Sequence, residues 1–276
     1  MIKMNEITLG LCQINVIDDK NANLKNAEKF LNKAHEKGVE LAILPEMFNC
    51  PYENQKFVEY AEEEDNSLTL NTIKNIAEDN NIHIIAGSIP EKVEDNIFNT
   101  CFFFNDKGKI IGKYSKMHLF DVDVEDGIKF KESDTLTAGD KFTIVQTKWG
   151  KIGLGICYDL RFPELSRLLT LNGANILVYP GAFNLTTGPS HWETLFKSRA
   201  LDNQVYSVGV APALNKNSSY HSYGPSLICS PWGNVIKKAE YGEKLIVENI
   251  DLNLISKVRS EIPVLENRRT DMYTIK

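Results

Sequence analysis

The sequence has no long apolar segment, no cluster of basic residues and no predicted secretory signal. No run among its 276 residues approaches the roughly 20 apolar residues that a transmembrane helix needs. Its net charge of −6 gives no basic patch to attract nucleic acid or an anionic membrane. The opening MIKMNEITLG lacks an apolar core behind a basic segment. We therefore expect a cytoplasmic protein that binds neither nucleic acid nor membrane.

The cysteines also lack the spacing of a disulfide framework or a metal site. There are five, at irregular intervals, with no CxxC pair and no Cys/His cluster at zinc-ligand spacing. Cys12, Cys101 and Cys229 lie in apolar runs typical of strands and are expected to be small buried hydrophobes. Cys50 is expected in a loop beside a site. The pattern predicts no structural metal.

Strand and helix patterns alternate along the whole chain without a linker or a low-complexity segment. The spacing of Leu24, Ala27 and Leu31 predicts a helix, and Asp106-Lys107-Gly108 predicts a hairpin turn between two strands. Hydrophobic content of 42% and charged content of 25% are ordinary for a globular protein. We predict an α/β fold, with either one mixed sheet or two sheets face to face between helices.

Cys157, in GLGICYDLRFPE, differs from the other cysteines because it follows an apolar strand and precedes charged residues and a helix. A strand end before a helix opens into the crevice where α/β sheets bind ligands. The N–H groups that follow favour negative charge, so we expect a partly exposed thiol that forms a thiolate. The same position also suits a cysteine that only packs. A reactive thiol needs a partner.

Two charged residues at other strand ends are candidate partners. Glu46 closes the strand LAILPE, and Lys116 follows the strand KIIGKYSK. A carboxylate can accept the thiol proton and an ammonium can stabilise an oxyanion. Both residues would also suit solvated surface positions. No signature of a Cys/His protease surrounds Cys157, although the order of the chain leaves His191 and His221 open as bases.

Three motifs resemble the catalytic blocks of the nitrilase, or carbon–nitrogen hydrolase, superfamily. They are LAILPEMF, YSKMHLFD and GLGICYDLRFPE, in the family's order, and the resemblance extends from Ile7 to Tyr273. The segment YPGAFNLTTGPSHWETLFKSRALDNQVY is similar to the ω-amidase, or Nit2-like, branch. The resemblance implies a four-layer αββα sandwich that forms a homodimer. It implies one domain over residues 1–276, with a core at about 6–252 and a C-terminal tail at 253–276.

The resemblance also implies the catalytic roles. Glu46 would be the general base, Lys116 the oxyanion stabiliser and Cys157 the nucleophile of an amidase that forms a thioester. A further family glutamate falls on Glu132, in KFKESDTLTAGD, although Glu125 lies close by. The reaction would use a small amide and water, without a metal or an organic cofactor.

The loop GAFNLTTGPSHW follows the strand ANILVYP and should form a wall of the same crevice. Arg161 is the candidate cation for a substrate carboxylate, and an ion-pair partner at the start of a helix is its alternative role. Proline in Gly224-Pro225 departs from the polar residue that is common in relatives. The other candidate substrate-binding residues are Tyr52, Tyr158, Phe183, Asn184, Thr186, Thr187 and His191.

A small polar pocket with one cation predicts an ω-amidase that acts on α-ketoglutaramate and α-ketosuccinamate. The alternatives are a deaminated-glutathione amidase, a carbamoyl-amino-acid hydrolase, a nitrilase, and a catalytically silent interaction module on the same fold.

Overall fold

The computed structural model describes residues 5–273 and contains two six-stranded β-sheets packed face to face. Within these residues the strands are β1 (Glu6–Gln13), β2 (Leu41–Ile43), β3 (His83–Val93), β4 (Asn96–Phe104), β5 (Ile110–Ser115), β6 (Asp121–Asp123), β7 (Lys129–Lys131), β8 (Thr143–Thr147), β9 (Gly150–Leu154), β10 (Ala174–Pro180), β11 (Phe183–Asn184), β12 (Tyr206–Val210), β13 (Ser222–Tyr223), β14 (Leu227–Cys229), β15 (Val235–Lys238) and β16 (Lys244–Asp251). The helices are α1 (Lys20–Glu36), α2 (Asn54–Tyr60), α3 (Leu68–Asn80), α4 (Pro163–Leu171), α5 (Gly188–Asn203) and α6 (Asn253–Glu261).

The two sheets repeat one pattern of strand directions. The first has the order β16-β1-β2-β3-β4-β5 and the second β15-β14-β12-β10-β9-β8. In each, three central strands are parallel: β1, β2 and β3 in the first, and β9, β10 and β12 in the second. The outer strands pair antiparallel. The carboxyl ends of parallel strands share one edge of a sheet, which is where α/β folds place ligand sites.

Helices cover the outer face of each sheet. α1 and α3 pack on the first sheet through an apolar face that includes Leu24, Leu31 and Ile73. α1 begins where the Asp19 carboxylate accepts a hydrogen bond of 3.0 Å from the Ala22 N–H. α4 and α5 cover the second sheet, so the chain forms the four-layer αββα sandwich expected from the sequence.

The space between the sheets is a continuous apolar core. Leu9 and Ile43 of the first sheet and Ile152 and Val178 of the second belong to one buried cluster. Each side chain of this size contributes about 1.5–3 kcal/mol when removed from water. This core keeps the two sets of strand ends at a fixed separation.

Most predicted elements are confirmed, and the differences are local. β4 and β5 form the predicted hairpin, and β8 and β9 pair across Trp149 as expected. The short pairs β6–β7 and β11–β13 were not predicted, because two or three residues carry no periodicity. α6 opens the expected tail at 253–276, of which residues 274–276 lie outside the described part, as do residues 1–4 of the expected domain. No helix within residues 5–273 is long and apolar enough to cross a membrane.

Candidate active site

The ends of strands from both sheets bring Glu46, Lys116 and Cys157 together. Glu46 lies three residues after β2, and Lys116 directly follows β5. Cys157 lies three residues after β9 and begins a 3-10 helical turn, Cys157–Arg161, so it is not the last residue of a strand as the sequence suggested. α4 then starts at Pro163. Convergence of these residues depends on the packing of one sheet on the other.

The backbone at the site is strained in two places. Cys157 has φ of +46° and Met47, next to Glu46, has φ of +50°. Side chains other than glycine rarely adopt this region, and such strain persists where the surroundings over-determine it. A Cβ on Gly181 would lie 3.2 Å from the Cys157 Cα, so glycine lets the backbone after β10 approach closely. The turn therefore directs the thiol to one position.

Asp159 ties the Cys157 turn to the segment that carries Lys116. Its buried carboxylate accepts hydrogen bonds from the Ile156 N–H at 2.9 Å and the Tyr114 hydroxyl at 2.8 Å. It also accepts from the His118 N–H at 3.0 Å and lies 2.7 Å from His118 Nδ1. Because Tyr114 and His118 flank Lys116, one carboxylate links the turn that carries Cys157 to the segment that carries Lys116.

Glu46 is fully buried and accepts hydrogen bonds from three segments of the chain. Oε1 accepts from Lys116 Nζ at 3.1 Å and from Asn99 Nδ2 at 2.9 Å, and the Tyr52 hydroxyl lies 3.5 Å away. Oε2 accepts from the Ala182 N–H at 2.7 Å. These bonds fix both carboxylate oxygens in orientation.

Glu132, rather than the exposed Glu125, completes the cluster. Its carboxylate lies 2.9 Å from Lys116 Nζ and accepts hydrogen bonds of 2.6 Å from the Tyr52 hydroxyl and from the Phe120 N–H. Lys116 is fully buried between the two carboxylates. Tyr52, which the sequence placed among the candidate substrate-binding residues, donates its hydroxyl proton to Glu132 and so belongs to this cluster.

Burial determines the charge state of the resting site. It raises the pKa of Glu46, an effect that Lys116 opposes and Glu132 reinforces. Burial and the neighbouring Glu46 carboxylate raise the pKa of Cys157 well above that of an ordinary thiol. Cys157 is 4% exposed, so the expectation of a partly exposed, thiolate-forming cysteine is wrong. The resting pair is a thiol beside a carboxyl group that can accept its proton.

Arg161, at the end of the Cys157–Arg161 turn, contacts Thr187 and His191 at the start of α5. Arg161 Nη2 donates to Thr187 Oγ1 at 3.1 Å and Nη1 to His191 Nδ1 at 2.9 Å. Its guanidinium carbon lies 4.6 Å from the centre of the Phe183 ring. Within residues 5–273 Arg161 pairs with no carboxylate, and its Nε is buried without a hydrogen-bond partner. The alternative role of an ion-pair partner is therefore not observed. Arg161 remains an unpaired cation at the other end of the 3-10 turn that begins with Cys157.

The remaining candidates occupy the wall and the rim. The Tyr158 ring packs edge-on against Phe120 at 5.3 Å between centroids. Thr186 is exposed and faces the β6–β7 hairpin, where a Cβ on Gly127 would lie 2.7 Å from its methyl group. Asn184 is buried, and its Oδ1 accepts from the Thr186 and Thr187 N–H groups at 2.9 and 3.0 Å. Of the two threonines, only Thr187 contacts Arg161.

Pro225 lies in the short segment between β13 and β14. It is buried, and its carbonyl accepts a hydrogen bond of 2.9 Å from the Trp192 indole. Of the two histidines left open as bases, His221 is exposed and contacts the Lys216 carbonyl at 3.3 Å. His191, also exposed, binds Arg161, and neither histidine hydrogen-bonds to Cys157.

Four residues that take part in the site were not identified from the sequence. Asn99 and the Ala182 N–H bind Glu46, and Asp159 orients the turn. Tyr220 donates a 2.6 Å hydrogen bond to the Ala182 carbonyl, and its ring is tilted against that of Tyr52 with 4.6 Å between centroids. Asp159 has a visible signal, two residues after the cysteine, whereas the other three lie in segments without a local motif. In the part of the chain described, no group of three His, Cys, Asp or Glu side chains could hold a metal.

Comparison with known proteins gives consistent results. Residues 8–260 match the model of the carbon-nitrogen hydrolase family. The chain is 44% identical to Omega-amidase NIT2 of Xenopus tropicalis and 42% identical to Omega-amidase NIT2 of Homo sapiens, each alignment covering 99% of this chain and 98% of the relative. The crystal structure of Saccharomyces cerevisiae Nit3, a member of branch 10 of the nitrilase superfamily, superposes with a TM-score of 0.89. It is 39% identical and covers 98% of both chains.

Proposed function

Because this chain belongs to the carbon–nitrogen hydrolase family, we propose that it is an ω-amidase with Cys157 as its nucleophile. It hydrolyses the terminal amides of α-ketoglutaramate and α-ketosuccinamate to the keto acid and ammonia. The observation that carries this proposal is an unpaired, half-buried Arg161 beside a buried cluster of Glu46, Lys116 and Cys157. Full-length relatives named as omega-amidases support the substrate class.

Acylation begins when Glu46 accepts the Cys157 proton as sulfur attacks the amide carbon. A C–S bond forms and the carbonyl π electrons move to oxygen. Lys116 stabilises this oxyanion, together with the Tyr158 N–H, and one such donor typically contributes about 10²–10³ in rate. Glu46 then gives its proton to the amide nitrogen, the C–N bond breaks, and ammonia leaves a thioester.

Deacylation uses the same groups with water in place of the amide nitrogen. Glu46 accepts a proton from water, whose oxygen attacks the thioester carbon. The C–S bond breaks and sulfur regains the proton from Glu46. The sum is one amide plus one water giving one carboxylic acid plus one ammonia, with no change of oxidation state. Glu132 and Tyr52 keep Lys116 oriented through both halves.

Arg161 binds the carboxylate at the far end of the substrate. A buried carboxylate is costly without a partner, and a guanidinium can bind both of its oxygens. Thr187 and His191 hold the guanidinium in place, and the Phe183 ring supports its flat face. A bulky acyl group would displace these contacts, which favours a short dicarboxylic substrate.

An ammonia-release screen tests the function directly. Purified protein is assayed with α-ketoglutaramate, α-ketosuccinamate, deaminated glutathione, a carbamoyl amino acid and a nitrile. We expect the two ω-amides to have the highest kcat/KM. A higher kcat/KM for deaminated glutathione or a carbamoyl amino acid would reject the ω-amides as the substrates. The proposed thioester mechanism would still hold. No activity, and no labelling of Cys157 by a thiol-directed electrophile, would favour a silent interaction module.

We also propose that the chain is one domain that forms a cytoplasmic homodimer. A single buried cluster includes residues of both sheets, which supports one domain. All five cysteines are free thiols, as in proteins of a reducing compartment. On or beside the outer layer of α4 and α5, Leu171 is 41% exposed and Leu201 52% exposed. These apolar side chains suit a surface that a second copy covers.

A further inference from the structure

Asn99 contacts both charged partners of the nucleophile from a single strand, β4. Its side-chain Nδ2 donates to Glu46 Oε1 at 2.9 Å. Its backbone carbonyl accepts a hydrogen bond of 2.9 Å from the Lys116 N–H. The residue is completely buried. The position of Asn99 therefore sets the relative placement of the base and the ammonium.

The Asn99 side chain is poorly suited to a purely structural role. Its Oδ1 is buried without a hydrogen-bond partner, and leaving a polar atom unpaired in a protein interior costs free energy. An apolar side chain of the same size would fill the volume without that cost. The one interaction that the amide makes, the donation to Glu46, is what such a replacement would remove.

We propose that Asn99 is a positioning residue that holds the Glu46 carboxylate toward Cys157 and in its proton-accepting form. The inference rests on the proposed function, in which Glu46 is the base. An N–H donor favours the ionised carboxylate over the protonated one. Without it, Glu46 would be protonated at a higher pH, and Oε1 would keep Lys116 as its one close donor.

Other groups around Glu46 also affect its protonation, and the substitutions used in the test leave all of them in place. The titratable groups that face Glu46 from the surrounding elements are Cys50, Tyr52, Lys116, Glu132, Cys157 and Tyr220. Lys116 favours the carboxylate and Glu132 opposes it. Only a substitution at Asn99 removes the amide donor and leaves these charges in place.

The test follows alkylation of Cys157 by iodoacetamide against pH, quantified by peptide mass spectrometry. The S–C bond forms as the C–I bond breaks, iodide leaves, and the thiol proton passes to Glu46. The acid limb of this rate therefore reports whether Glu46 can accept a proton, whatever amide the enzyme hydrolyses. Asn99→Ala removes the donor, and Asn99→Leu removes it and keeps the volume, in case the smaller side chain destabilises the fold.

Asn49 offers a matched control. It is equally buried, its Oδ1 is also unpaired, and its Nδ2 donates one hydrogen bond, of 3.2 Å, to Thr69 instead of a carboxylate. Asn49→Ala and Asn49→Leu lose the same kind of group. Thermal midpoints of all four variants measure the cost in stability.

We expect both Asn99 variants to move the acid limb of labelling, and of kcat/KM, upward by about one pH unit, and neither Asn49 variant to move it. If the Asn99 variants are labelled more slowly but the acid limb stays at the same pH, Asn99 has a packing role and the inference is overturned. Variants that behave like the wild type would also overturn it. A shifted labelling limb with no ω-amide turnover would reject the substrate alone. A wild-type Cys157 that resists labelling at every pH would overturn both proposals.

Discussion

At the scale of the residue, burial decides how the site works. Cys157, Glu46 and Lys116 are all hidden from water, so neither charge nor thiolate is stabilised by solvent. Lys116 keeps its proton because two carboxylates surround it, which raises its pKa against the effect of burial. Glu46 is less easily ionised than an ordinary glutamate. A base whose pKa approaches neutrality is more effective at accepting a proton from a thiol.

The direction of the Glu46 pKa shift gives a pH dependence. Below its pKa, Glu46 carries the proton and cannot accept another, so kcat/KM falls as pH decreases. Because that pKa is raised, the acid limb should lie above the ordinary value of 4.5. The raised pKa values of Cys157 and Lys116 keep both protonated, so the plateau should extend above neutrality. A pH profile of kcat/KM with an acid limb at or below 4.5 would contradict this account.

Replacing the nucleophile should abolish turnover and leave the fold. Cys157→Ala removes the atom that forms the thioester, and we expect kcat to fall by more than about 10³-fold. Loss of one small buried atom should cost about 1 kcal/mol of unfolding free energy. Ammonia release and denaturant unfolding measure the two effects. Cys229→Ala, at a buried cysteine away from the site, is the control and should retain activity. A Cys157→Ala variant that keeps a tenth of wild-type activity would show that Cys157 is not the nucleophile.

At the scale of the element, two short segments build the site on rigid strands. The 3-10 turn after β9 begins with Cys157, the proposed nucleophile, and ends in Arg161, while Thr187, at the start of α5, and His191, in its first turn, bind the guanidinium. α5 secures this arrangement, since Arg199 Nε donates to the Leu160 carbonyl at 2.9 Å. The proposed nucleophile and the proposed carboxylate-binding residue therefore lie at the two ends of one short turn.

This arrangement predicts the effect of Arg161→Met. Loss of the guanidinium should lower kcat/KM for α-ketoglutaramate by about 10- to 100-fold, mainly through KM, because charge-assisted hydrogen bonds are worth about 1.5–3 kcal/mol. A simple amide without a distal carboxylate should lose little. Steady-state kinetics on both substrates give the comparison, and Arg167→Met, on the α4 surface, is the matched control. Equal losses on both substrates would show that Arg161 does not bind the carboxylate.

At the scale of the whole molecule, the packing of two similar sheets creates the site. Glu46 and Lys116 follow strands of the first sheet and Cys157 follows a strand of the second. The buried cluster between the sheets fixes their separation. Glu46, Lys116, Glu132 and Cys157 therefore meet within a single chain although they are distant in sequence.

The proposed homodimer is tested by sedimentation. We expect a species of twice the 31.2 kDa chain mass, and Leu201→Glu should weaken it, because a charge would replace an exposed apolar side chain on α5. Leu68→Glu is the control, since Leu68 is 51% exposed on the opposite helical layer, compared with 52% for Leu201. An active species of 31.2 kDa in the wild type would reject the dimer.

The sequence alone determined the order of most elements and identified the residues that are proposed to react. Apolar periodicity located most helices and strands, and the motifs around Glu46, Lys116 and Cys157 carried their own signal because each follows a strand and resembles a catalytic block of the family. What only the tertiary structure decided is how these residues behave. Burial keeps the Cys157 thiol protonated, and Asn99 and Tyr52 join the site through contacts between segments that are distant along the chain. Periodicity and motifs are local properties of a sequence, whereas pKa values and hydrogen-bond partners depend on which segments meet in the folded protein.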